Sequence, residues 1–263
     1  MGLTIHYSLK SQGNEAHART LIHALHQTAL DLPFKELGPV VELSGDQCDP
    51  SQRDREDPLL WLLIQAGKNV EIVTKDPVKR RQGWKFYHEV RPLRLIAFTA
   101  WPGEGCEASN FGLGQFPAVV QTEQGPVKTK LSGWRWSSHC KTQYASDPRC
   151  GGVANFLQCH LAVIAMLDKA KELGCLKEVS DEGDFWKKRD LKALVQEIGS
   201  LNEMIAALGG KLKDLVGEGK LGLEAPITQY PTFEQLEAAG QEKLPPGLQN
   251  LFRLISRVCG KSK

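Results

Sequence analysis

No part of the chain stays apolar for long. The longest apolar runs, residues 161–167 (LAVIAML) and 59–64 (LLWLLI), have seven and six members, against the roughly 20 needed to cross a bilayer, so no membrane span is expected. The opening MGLTIHYSLKS has no charged leader ahead of an apolar core and reads as a first strand rather than a secretory signal. Neither sign of charge dominates. The 33 Lys and Arg against 31 Asp and Glu leave a net charge of +2, which excludes a chain-wide electrostatic footprint for nucleic acid or anionic lipid. The seven cysteines are an odd number with no C-x-x-C pair among them, so they suit neither a disulfide framework nor a zinc knuckle, and point to reduced thiols in a cytoplasmic protein. Repeats and low-complexity tracts are also missing.

What is present is an order of strands and helices. Residues 3–9 alternate Ile5, Tyr7 and Leu9 with polar neighbours, and residues 14–30 then carry Ala18, Leu21, Ile22, Leu25 and Ala29 at helical spacing. A short strand is expected at 39–44 and a short helix at 58–66. Further strands are expected at 70–73, 85–90, 93–100, 118–121 and 127–144. Residues 156–173 form an amphipathic helix closed by Gly174, and 176–180 a closing strand. This order predicts an α+β fold with a mixed or antiparallel sheet, of ferredoxin-like type with an insertion, over residues 1–183. Residues 184–263 are expected to form a helical arm: one long helix and a small helical C-terminal region. Leu191, Leu194, Ile198, Leu201, Ile205, Leu208, Leu212 and Leu215 step by three and four, a coiled-coil-like seam that must be covered. Packing on residues 248–258 or homodimerisation through 191–215 is expected, with a hinge or a close crossing at Gly209 and Gly210.

The stretch 131–145 (LSGWRWSSHCKTQYA) divides chemically if it is extended. Trp134, Trp136, Cys140 and Tyr144 share one face, and Arg135, His139 and Lys141 the other. The second face suits a small anionic ligand. His139 and Cys140, being neighbours, point to opposite faces and form no Cys-His nucleophile pair. The segment Gly103-Glu104-Gly105-Cys106-Glu107-Ala108 fits G-x-G-x-x-A, but no helix follows to complete a phosphate cradle, and two glutamates would repel pyrophosphate. It reads instead as a loop that shapes a pocket with Glu104, Glu107 and Asn110.

Two rival sites remain. Asp181, Glu182 and Asp184 follow the closing strand and could hold Mg²⁺ for a hydrolase or phosphoryl-transfer reaction, although Asp and Gly also simply make turns and caps. Residues 75–94 carry seven Lys or Arg against two acids with Trp84, Phe86, Tyr87 and His88 interleaved, a composition seen in single-strand nucleic-acid binders. The overall charge argues against nucleic acid, and the acidic stretch 42–57 offers that segment an internal complement. No motif matches a catalytic signature. The reading that follows is a soluble α+β protein that binds a small anionic ligand or a protein partner through its sheet and glycine-rich loop, with no cofactor outside the Mg²⁺ alternative.

Overall fold

A computed structural model of the chain describes residues 3–73, 85–123, 125–216, 226–241 and 243–244. The first strand, β1 (Thr4–Ser11), buries Ile5, Tyr7, Leu9 and Ser11 and leaves His6 exposed, the alternation its sequence dictates. Asn14 caps α1 (Glu15–Leu30) by accepting the His17 N–H at 2.9 Å. The residues Ala18, Leu21, Ile22, Leu25 and Ala29 are its buried stripe. Next come β2 (Glu36–Leu37), β3 (Val41–Ser44), the short helix α2 (Leu60–Ala66) and the hairpin of β4 (Lys68–Val73) with β5 (Lys85–Val90).

An interior strand of the sheet is β6 (Arg94–Trp101), in which Leu95, Ile96, Ala97 and Phe98 are consecutively buried because both faces are covered. It pairs with β7 (Ser109–Gln115). A second hairpin joins β8 (Val119–Thr122) and β9 (Gly125–Lys128). The strand expected over 127–144 is split, because Lys130 and Gly133 adopt φ of 58° and 69°, left-handed conformations that interrupt extended backbone. Its second part is β10 (Trp134–Lys141), followed by α3 (Gly152–Glu172) and β11 (Leu176–Asp181). The arm contains α4 (Phe185–Lys188), α5 (Leu191–Val216) and α6 (Phe233–Gln241).

The main sheet runs β11-β1-β10-β7-β6-β2, with β3 also pairing with β6. Every ladder is antiparallel, so the fold is α+β with an antiparallel sheet. Helix α1 lies on the face that carries Phe98, Phe111 and Tyr7, whose rings stack in a row from His26 inward. Helix α2 packs on the opposite face against β6 and β10, and its Gln65 accepts from Asn110 Nδ2 of β7 at 2.6 Å. Tyr7 Oη and Trp136 Nε1 both donate to the Asn110 carbonyl, at 2.7 and 2.8 Å. They satisfy a carbonyl just beyond the two residue pairs by which β7 and β10 are joined.

The seam of α5 meets the chain's own sheet domain. Leu194, Ile198 and Leu201 pack with Leu3, Ala145, Phe156 and Cys159, while Leu191 at the end of the seam stays 45% exposed. The expected close crossing is made with α6. A Cβ on Gly240 would lie 1.8 Å from the Glu203 carbonyl oxygen, and one on Gly210 would strike the Glu237 carboxylate. Residues 248–258, the alternative partner for the seam, lie outside the described residues. Among the described residues no helix is long and apolar enough to cross a membrane.

Candidate functional site

The outer face of β10, β1 and β11 is open, with His6, Ser137, His139, Glu178 and Ser180 exposed. The register places its side chains in cross-strand rows. Lys10 faces Arg135, Ser8 faces Ser137, His6 faces His139 and Thr4 faces Lys141. On the other side of β1, Glu178 stands beside Ser8 and Ser180 beside His6. Successive rows are about 7 Å apart along the strands. A cavity of about 370 Å³ lies over the middle rows, lined by His6, Ser8, Ser137, His139, Glu178 and Ser180.

The first row is electrostatically odd. Lys10 and Arg135 are like charges directly opposed in a ladder, an arrangement that costs stability. Neither has an ion-pair partner among the described residues; the Arg135 guanidinium bonds instead to the Ser132 carbonyl and hydroxyl, at 2.9 and 3.4 Å. At the far end, Lys141 Nζ lies over the Tyr144 ring, 4.7 Å from its centroid. The His139 imidazole stands 3.5 Å from Glu107 Oε2.

The glycine-rich loop fixes that glutamate. Gly105 has φ of 77°, and a Cβ there would lie 2.3 Å from the Tyr144 carbonyl oxygen, so only glycine lets the loop sit this close. Glu107 N donates to Lys141 O at 3.0 Å, and Lys141 N donates to Glu107 Oε2 at 3.1 Å. Asn155 Nδ2 ties Glu104 O and Ala145 O together, both at 3.1 Å. Of the residues expected to form one site, Glu107, His139 and Lys141 meet at one end of the open face and Arg135 lies at the other. Glu104 pairs with Lys35 at the far side of the loop. Asn110 is buried beneath α2. Cys140 points into the core opposite His139; burial pushes its thiol well above the ordinary value, and it donates to Glu107 O at 3.1 Å.

The reasoning from sequence missed His6, Ser8 and Lys10. Their signal was the polar half of the alternation in residues 4–11, but only the pairing of β1 with β10 gives those residues a shared surface with Arg135 and His139.

The acidic turn has a different character. Asp181 is buried to 1% side-chain exposure and accepts the Gly183 and Trp186 N–H groups at 2.9 and 2.8 Å. Its other neighbour is His160 Nε2 at 3.5 Å, and His160 Nδ1 lies 3.0 Å from Thr142 Oγ1. Hydroxyl, imidazole and carboxylate thus follow one another as in a catalytic triad, but His160 and Thr142 have no exposure and no substrate can reach them. Glu182 Oε2 accepts Thr4 N at 2.9 Å, and Asp184 pairs with Lys188 at 2.8 Å. Among the described residues, no three or more His, Cys, Asp or Glu side chains stand together as a ready-made metal-ligand group. Of the basic segment 75–94, residues 75–84 lie outside the described residues; at its end, Arg91 pairs with Asp49 in the acidic stretch and Arg94 with Glu15.

Comparison of the chain with protein-family models, with curated proteins and with solved structures found no match.

Proposed function

We propose that this is a ligand-binding α+β protein whose open β10-β1-β11 face takes a small anionic molecule. One observation carries the reading: Lys10 and Arg135 are directly opposed on an accessible face, and among the described residues neither is in an ion pair with a carboxylate. A bound carboxylate or phosphate would turn that unfavourable pair into two charge-assisted contacts. The hydroxyls of Ser8 and Ser137 and the imidazoles of His6 and His139 supply further donors along the same face.

The Mg²⁺-dependent alternative draws less support, since Asp181, Glu182 and Asp184 already accept backbone N–H groups or pair with a lysine. The six cysteines among the described residues are free thiols, which fits a cytoplasmic protein.

Calorimetric titration with inorganic phosphate and with citrate tests the reading. Saturable binding that is lost in both Arg135→Ala and Lys10→Ala supports it. Binding of neither anion at millimolar concentration, or binding indifferent to both substitutions, refutes it.

A further inference from the structure

The glycine-rich loop meets α3 at a pair of sulfurs. Its turn over residues 103–106 is closed by Cys106 N, which donates to Gly103 O at 3.1 Å. Gly103 lies directly on Cys159 of α3, where a Cβ added to the glycine would stand 2.9 Å from Cys159 Sγ. One helical turn earlier, Asn155 Nδ2 ties down Glu104 O and Ala145 O, and Asn155 Oδ1 accepts from Cys159 Sγ at 3.6 Å. Cys106 packs on the apolar cluster that contains Cys159, Phe156 and Ala145, and its thiol is hydrogen-bonded to that of Cys159. Cys106 is half-buried, whereas Cys159 is buried.

Two other buried thiols are spent on the backbone. Cys140 Sγ donates to Glu107 O at 3.1 Å and Cys175 Sγ to Ala170 O at 3.4 Å, and buried thiols of that kind are inert. Cys106 and Cys159 differ because each sulfur has the other as a neighbour. The Cys106 S–H holds the Cys159 thiol below its ordinary value, while the same bond and burial push the Cys106 thiol up. The first negative charge of the pair therefore settles on the buried sulfur. Transfer of the shared proton along the hydrogen bond moves that charge to Cys106, the sulfur that solvent reaches. Sulfurs in hydrogen-bond contact need only a small side-chain rotation to come within bonding distance.

We propose that Cys106 and Cys159 are a reversible dithiol pair that a hydroperoxide converts to a disulfide, stapling the glycine-rich loop to α3. The Cys106 thiolate attacks the outer oxygen of the peroxide, the O–O bond breaks, the departing alkoxide takes up a proton, and Cys106 becomes a sulfenic acid. The Cys159 thiolate then attacks the Cys106 sulfur, the S–O bond breaks, and hydroxide leaves to be protonated to water. Two thiols and one hydroperoxide thus give one disulfide, one alcohol and one water, with two electrons passing from the sulfurs to the peroxide oxygens. Glu107, the next residue after Cys106, would be pinned with the loop. The pair does not depend on the anion assigned to the open face, because the peroxide alone is the probe.

The test treats the whole reduced chain with hydrogen peroxide in molar excess, alkylates the remaining thiols and maps the unreduced peptides by mass spectrometry. A link between Cys106 and Cys159 within one chain is expected, and dithiothreitol should restore both thiols. Cys150 shares a tryptic peptide with Cys159, so fragmentation of the linked peptides assigns the bond in the wild type. The link should survive in Cys150→Ser and be lost in Cys106→Ser and in Cys159→Ala. Because the assignment is made on the wild type, it stands even where the substitution of buried Cys159 unfolds the chain. Absence of the link, with Cys106 carried on to sulfinic acid instead, overturns the proposal. So does a link from Cys106 to Cys150 or to a second chain, because the contact with Cys159 would then have no part in the chemistry.

Discussion

The imidazole of His160 and the carboxylate of Asp181 face each other across 3.5 Å in the protein interior, with side-chain exposures of 0% and 1%. The pair joins α3 to the end of β11, and through Thr142 it also reaches the end of β10. Asp181 additionally holds the turn into α4 through the N–H groups of Gly183 and Trp186. Asp181→Ala leaves those two donors and the imidazole without an acceptor. It should cost about 3 kcal/mol in urea unfolding, the range for breaking a buried polar network. A loss below about 0.5 kcal/mol, the scale of an ordinary surface substitution, would contradict this structural role.

The same group sets the acid limb of stability. Burial pushes the Asp181 carboxyl up, but His160 and the backbone N–H groups of Trp186 and Gly183 outweigh that and hold it below the ordinary carboxylate value. A carboxyl that is more acidic folded than unfolded contributes stability above its unfolded pKa and loses it as pH falls through the folded one. Stability should therefore fall more steeply below about pH 4 in the wild type than in Asp181→Asn. Parallel acid limbs in the two proteins would rule out this contribution.

Lys10→Glu should separate folding from binding. Replacing one member of the like-charged row creates an opposite-charge pair with Arg135, worth about 0.2–1 kcal/mol in stability. It should also abolish phosphate and citrate binding. A variant that became less stable would show that Lys10 and Arg135 are compensated within the fold.

Gly105→Ala should cost at least about 2 kcal/mol, since φ of 77° disfavours a side chain and the added Cβ strikes the Tyr144 carbonyl. The same substitution should shift the His139 imidazole resonances, because the loop that contains Gly105 positions Glu107. Unmoved resonances in a destabilised protein would confine the loop to a packing role.

Ile198→Ala opens a cavity between α5 and the residues Phe156 and Leu3 and should cost about 2–4 kcal/mol. The mass in solution should not change, because Leu194, Ile198 and Leu201 are buried within one chain. A concentration-dependent melting temperature would instead place a second subunit on α5.

Residues 4–11 and 134–141 show how far the sequence alone reached. Alternation decided which side of each strand would be buried, because Ile5, Tyr7, Leu9, Trp134 and Trp136 release far more free energy on leaving water than their polar neighbours cost in staying wet. Helical spacing likewise located the buried stripes of α1, α3 and α5, and the alternation of strands and helices gave an α+β fold. Alternation assigns a residue to a face but gives it no neighbour across the sheet. The opposition of Lys10 to Arg135 and of His6 to His139 arises because β10 pairs with β1 after more than a hundred intervening residues. Asn110 looked like a pocket residue and is buried because α2 lies over it, and Asp181 looked like a metal ligand and is filled by the N–H groups of its own turn. Local sequence determines periodicity and turn chemistry, which act over a few residues. Strand pairing and the placement of α2 depend on how the whole core packs, and they decided which polar residues came to share an open surface.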